Sequence, residues 1–95
     1  MSAYMIVDVD VRDPAVYEEY KTKVPALIRK HGGEYLVRGG NFVVLEGDWE
    51  PNRLVILRFP DIASAQAFLI DPEYQPLKVL RQRVSTVDIV AVEGI

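Results

Sequence analysis

The stretch from His31 to Trp49, H-G-G-E-Y-L-V-R-G-G-N-F-V-V-L-E-G-D-W, constrains the fold more than any other, because two glycine pairs punctuate a run of strand-forming residues. Gly32-Gly33 closes a helical pattern and suits the left-handed conformation that ends a helix. Gly39-Gly40 interrupts a strand pattern and suits a bulge or a tight bend. The pattern therefore predicts a helix that stops, then a strand through Tyr35, Leu36, Val37 and Arg38 that bends and resumes from Phe42 to Glu46. A bulge breaks the alternation of faces, so parity does not decide whether Arg38 and Glu46 point the same way.

The flanking sequence supplies the other elements. Tyr4 to Val11 alternates, with Met5, Val7, Val9 and Val11 on one face and Tyr4, Ile6, Asp8 and Asp10 on the other, which is a strand with its apolar face toward helices. Asp13-Pro14 gives a helix cap and a proline at the first helical position. Val16, Tyr17, Tyr20, Val24, Leu27 and Ile28 then recur at helical spacing, and Pro25 within the helix predicts a kink. The turn-rich run from Gly47 to Asn52 leads into a third strand, Arg53 to Phe59, antiparallel to the second. Asp61 caps a second helical region whose face holds Ile62, Ala65, Ala67, Phe68 and Leu69. Asp71-Pro72 breaks that region, and a further piece beginning at Pro72 or Pro76 carries Tyr74, Leu77, Leu80, Arg81 and Val84. Thr86 to Val92 forms the fourth strand.

This order is that of a ferredoxin-like βαββαβ domain of the α+β class. Right-handed crossovers place the third strand between the first and second and the fourth beyond the first, as a four-stranded antiparallel sheet with helices on one face. The other face, with Ile6, Leu54 and Ile56, is left for a second subunit to cover.

Length and charge narrow the function. Ninety-five residues, 49% of them hydrophobic, make one domain spanning residues 1–95. A chain of this size buries roughly 60 to 70% of its unfolded surface, a thin core that favours a homodimer. A net charge of −3 offers no basic excess for phosphates, so no nucleic-acid partner is expected. Without cysteine there is no disulfide, thiolate zinc site or thiol nucleophile. Met1 to Val11 lacks the basic start and long apolar run of a signal peptide, and no stretch has the length of a membrane span. The expected location is cytoplasmic, with no membrane partner.

Five ordered segments, H-G-G-E-Y-L-V-R-G-G, L-E-G-D-W, F-P-D, P-E-Y-Q-P-L-K-V-L-R and V-E-G, resemble the family of domain of unknown function thirteen-thirty across essentially the whole chain. The resemblance implies a ferredoxin-like subunit that pairs into a dimeric α/β barrel. It marks Gly32, Gly33, Arg38, Gly39, Gly40, Glu46, Gly47, Trp49, Tyr74, Gln75, Pro76 and Arg81 as signature positions, without catalytic roles. The wider barrel superfamily includes cofactor-free monooxygenases, small isomerases, haem enzymes and ligand-sensing modules, so fold analogy alone assigns no reaction.

Each candidate group has two readings. His31, as the chain's one histidine, is the residue type suited to general acid or base work, or serves to cap a helix C-terminus. Arg38 and Glu46 either orient a polar substrate or form a structural ion pair at a dimer seam. Asp8 and Asp10 have no histidine or cysteine beside them for a metal site, and pairing with Arg58 or Arg53 is the simpler account. Trp49, Tyr35 and Tyr74 suit the wall of an apolar pocket, an interface or a core. Lys78, Arg81 and Arg83 read as a solvated helix face, with Arg81 able to reach an anionic group. The sequence thus points to one pocket per subunit, between sheet and helices, that binds or converts a small organic molecule without metal or other cofactor. Its expected ligand contacts are His31, Arg38, Glu46, Trp49, Tyr74 and Arg81. The alternative is a non-catalytic structural or interaction module whose signature residues serve the dimer interface.

Overall fold

The computed structural model describes residues 1–95. Its elements are β1 (Ala3–Val11), α1 (Pro14–Lys30), β2 (Glu34–Arg38), β3 (Leu54–Phe59), α2 (Ile62–Ile70), α3 (Gln75–Val84) and β4 (Ser85–Glu93). The four strands form one antiparallel sheet in the order β2-β3-β1-β4, the ferredoxin-like arrangement with its second helical region split in two. No helix is long and apolar enough to cross a membrane.

The alternation in β1 sets the layers. Ala3, Met5 and Val9 are buried on the helix side, and Met5 sits between Leu57 of β3 and Ala91 of β4. The main core joins Met5, Leu57 and Phe59 of the sheet to Leu27 and Ile28 of α1 and Phe68 of α2. A smaller cluster of Val9, Tyr17 and Val84 closes the other end.

Local chemistry fixes the helices. The Asp13 side chain accepts from the Val16 N–H at 3.2 Å and Pro14 opens α1. Helix α1 is continuous through Pro25, which has no N–H to offer the carbonyl four residues earlier, that of Lys21. Arg38 supplies the missing donor: its Nη2 reaches the Lys21 carbonyl oxygen at 2.6 Å. The helix ends as expected at Gly32, with φ at +78°, and the Gly33 N–H returns to the Ile28 carbonyl at 2.9 Å. Asp61 caps α2 through the Ser64 N–H at 2.7 Å. Helix α3 begins at Gln75, whose side-chain amide donates to the Leu69 and Asp71 carbonyls at the end of α2.

The second strand departs from expectation. It stops at Arg38, does not resume at Phe42, and its register irregularity lies between Tyr35 and Val37, not at the glycine pair. Gly39, at φ +73°, turns the chain off the sheet after a last bond from its N–H to the Leu54 carbonyl at 2.8 Å. Because β3 begins at Leu54, close to Arg38 in the ladder, β3 has no further residues for 42–46 to pair with as a continuation of β2. Phe42, Val43, Val44 and Leu45 are consequently exposed, Leu45 to 89%.

A Cβ on Gly33 would lie 2.7 Å from the Phe59 ring and 2.8 Å from Ile28 Cγ2. Overpacking of this kind costs about 1–3 kcal/mol, so Gly33→Ala is expected to lower the urea midpoint accordingly with an unchanged m-value.

Candidate functional site

Between the sheet and α1, α2 and α3 lies a cavity of about 50 Å³. Its walls are mostly apolar: Met5, Val55, Leu57 and Ile89 from the sheet, Val24 and Ile28 from α1, and Phe68 from α2. Polar atoms enter it from few directions. Tyr20 of α1 and Tyr74, the residue preceding α3, bring their hydroxyls within 2.8 Å of one another. Burial raises the Tyr20 phenol pKa above its ordinary value, and the neighbouring Tyr74 pushes the same way. The phenol is therefore held neutral and serves as a hydrogen-bond group rather than an anion. Burial likewise raises Tyr35 and Tyr17, against the opposing charges of nearby arginines.

Arg81 is the anomaly. The helical face expected to be solvated turns this residue inward: it is only 7% exposed and lines the cavity. Its Nε is buried without a hydrogen-bond partner, and it takes part in no salt bridge. A buried charge without a countercharge is among the costlier features a fold can carry. The spacing explains the inward turn, since Arg81 shares its helix face with Leu77 and Val84. Lys78 is half-buried and Arg83 is exposed.

The cavity continues into a more open groove of about 500 Å³ lined by Glu18, Lys21, Thr22, Pro25, Arg38 and Arg53. Lys21, Arg38 and Arg53 border both spaces and so frame the mouth. Arg38 is held there by the carbonyl that Pro25 frees and by the Tyr35 ring, whose centroid is 4.6 Å from the guanidinium carbon. Arg53 lies 5.9 Å from the Tyr17 ring centroid. Neither a carboxylate nor an imidazole reaches the cavity wall. The charged side chains on the cavity wall are thus all cationic, and no evident general base stands among them.

The six expected contacts separate. Arg38, Tyr74 and Arg81 converge on the cavity; His31, Glu46 and Trp49 do not. Glu46 lies in the exposed segment after Gly39 and forms no ion pair with Arg38, because the strand that would have carried both ends between them. Trp49, 61% exposed, sits on the opposite face of the sheet, donating its indole N–H to Asp8 at 3.1 Å. Asp8 also accepts the Asn52 N–H at 2.9 Å, so it ties down this loop and pairs with neither Arg58 nor Arg53. Arg58 instead pairs with Glu34 across the β2–β3 ladder, and Arg53 faces the helices. Sequence reading missed Tyr20, Lys21 and Arg53 as site residues; Tyr20 was legible as part of the apolar stripe of α1, but its hydroxyl contact required the three-dimensional fold.

His31 belongs to a second polar cluster. Its Nε2 lies 2.7 Å from Asp71 Oδ2, and Lys30 Nζ donates to the same oxygen at 2.9 Å. Asp71 Oδ1 accepts the Glu73 N–H at 2.8 Å. One buried carboxylate therefore ties the end of α1 to the turn between α2 and α3. The Lys30 and His31 contacts, with the Glu73 amide, hold its pKa far below the usual carboxylate range. No three His, Asp or Glu side chains are grouped to hold a metal ion.

A four-stranded antiparallel sheet with helices on one side of it defines a ferredoxin-like fold, here with a cavity trapped between the two layers. The chain belongs to the family described as Domain of unknown function (DUF1330), which matches residues 2–95. Among solved structures, a protein of unknown function from Rhodopseudomonas palustris has a TM-score of 0.76 at 18% identity, covering 99% of this chain and 82% of its own. SnoaB, a cofactor-independent oxygenase from Streptomyces nogalater, has a TM-score of 0.69 at 16% identity, covering 99% and 93%. A dimeric ferredoxin-like protein of unknown function from Jannaschia sp. CCS1 has a TM-score of 0.64 at 14% identity, covering 99% and 100%. A search of the curated proteins finds no match.

Because the folded Asp71 carboxyl ionises at lower pH than its unfolded counterpart, its contribution to stability is present above the unfolded pKa and is lost as the pH falls through the folded one. Asp71→Asn is expected to lower Tm at neutral pH and to narrow its deficit against the wild-type protein as pH falls below about 4, measured by thermal melts across an acid series.

Proposed function

We propose that this protein is a cytoplasmic homodimer that binds a small organic molecule in the cavity between sheet and helices of each subunit. The observation that carries the reading is an apolar cavity left inside a small core, with the buried polar side chains of Tyr74 and Arg81 on its wall. Protein interiors are packed nearly without voids, and a core serving stability alone gains from filling such a space. The enclosed part is about a third of the roughly 150 Å³ that holds benzene in an engineered apolar cavity. It accepts a head of a few heavy atoms, and the cationic groove accepts the remainder. One structural neighbour is described as a cofactor-independent oxygenase, which is compatible with small-molecule chemistry on this fold but assigns no reaction here.

Dimerisation rests on the uncovered face. Val37, Val90 and Val92 are exposed there beside the half-buried Ile6 and Ile56, and Phe42 to Leu45 add a further exposed apolar run. A surface of this kind suits a second copy of the same chain, and neighbours of the same fold are described as dimeric.

Two measurements check the reading. Ile89→Phe, which extends a side chain into the cavity, is expected to abolish retention of a co-purified small molecule in native mass spectrometry while the far-ultraviolet circular dichroism stays unchanged. Retention undiminished by the filled cavity would overturn the site. Ile56→Glu, at the centre of the outer face, is expected to halve the sedimenting mass; a wild-type protein already monomeric and folded at micromolar concentration would overturn the dimer.

A further inference from the structure

We infer that the cavity takes the anionic head of a small apolar organic acid, its carboxylate meeting Arg81 and the Tyr20–Tyr74 hydroxyl pair. This rests on the binding reading above and names the chemistry of its ligand.

Charge carries the argument. The chain as a whole is acidic, at −3, yet the cavity and its mouth collect Lys21, Arg38, Arg53 and Arg81 against Glu18 alone. Glu18 is already engaged by Lys21 at 3.3 Å. Arg38 is anchored on the Lys21 carbonyl. Arg81, the most deeply buried of the four, has no ion-pair partner, and its Nε is shut off from solvent with no hydrogen bond. A guanidinium always carries its charge and offers five N–H donors in a planar fork that matches a carboxylate. An entering carboxylate therefore supplies what the fold leaves out, namely a countercharge in an apolar setting, where charge-assisted bonds are strong.

The tyrosines complete the recognition. Two hydroxyls carry two protons, and the bond between Tyr20 and Tyr74 uses one, leaving the other to donate. Burial keeps the Tyr20 phenol neutral, so this pair presents a donor and no competing negative charge. With Val24, Val55, Leu57, Phe68 and Ile89 around these polar atoms, the rest of the head must be apolar.

The test compares acids with their isosteric amides. Propionate, butyrate and benzoate, and propionamide, butyramide and benzamide, are titrated into the wild-type protein at matched ionic strength by calorimetry and by amide chemical-shift mapping. At least one acid is expected to bind saturably about tenfold or more tightly than its amide, as loss of a charged hydrogen-bond partner implies. Shifts should be centred on Tyr20, Tyr74 and Arg81. Arg81→Met should erase the preference for acids, and Arg81→Lys should keep part of it. The wild-type comparison stands even where a variant folds poorly. Acids and amides bound equally would overturn the anionic head while leaving the cavity as a binding site. Binding of neither series would overturn both.

Discussion

Everything in this fold depends on the two-faced alternation of the central strand. With Met5 and Val9 turned to the helices and Ile6 and Asp8 turned away, β1 commits its neighbours β3 and β4 through the ladder to the same division. A slip of one residue would exchange the faces and place aspartates beneath α1. The helix side then has to be filled by three short helices, and they meet over the sheet with a residual space among them. The cavity is thus a product of layer geometry, and the residues that border it are decided by which turn of each helix faces down.

That geometry gives the buried guanidinium its meaning. Arg81 follows Leu77 at helical spacing and precedes Val84, so burying the apolar pair on α3 carries the arginine inward with them. A leucine or methionine there would satisfy packing without an unpaired charge. Glu18, the one acid in the adjoining groove, leans on Lys21 and leaves Arg81 unmatched. The fold has therefore accepted an electrostatic cost at one wall of an apolar cavity, and costs of this sort are usually met where binding recovers them.

Much of this was legible from residue order. The strand pattern of β1, the Asp13-Pro14 start, the Gly32 stop, the β3 and β4 runs and the sheet order all follow from local patterning, because each is decided by residues close in sequence or by handedness. The site was only half legible. Tyr74 and Arg81 could be singled out, but the burial of Arg81 depends on how α3 rolls against α1, which spacing alone does not fix. The strand-like character of Phe42 to Leu45 places Glu46 on a strand, and Trp49 stands out only as an aromatic in the turn that follows. Strand propensity needs a partner in register to act on, and the β2–β3 ladder ends where β3 begins, at Leu54. His31 was drawn away from the cavity by Asp71, a partner forty residues distant that no local motif announces.

The proline in α1 has a consequence reaching beyond its own helix. By withholding one amide proton it leaves the Lys21 oxygen as a fixed anchor, and Arg38 has settled on it with one nitrogen. The entrance is therefore framed by a cation tethered to main chain, insensitive to rearrangements of neighbouring acidic side chains. An ordinary residue at position 25 would reclaim that oxygen for the helix and leave the guanidinium resting on the Tyr35 ring, loosening the doorway.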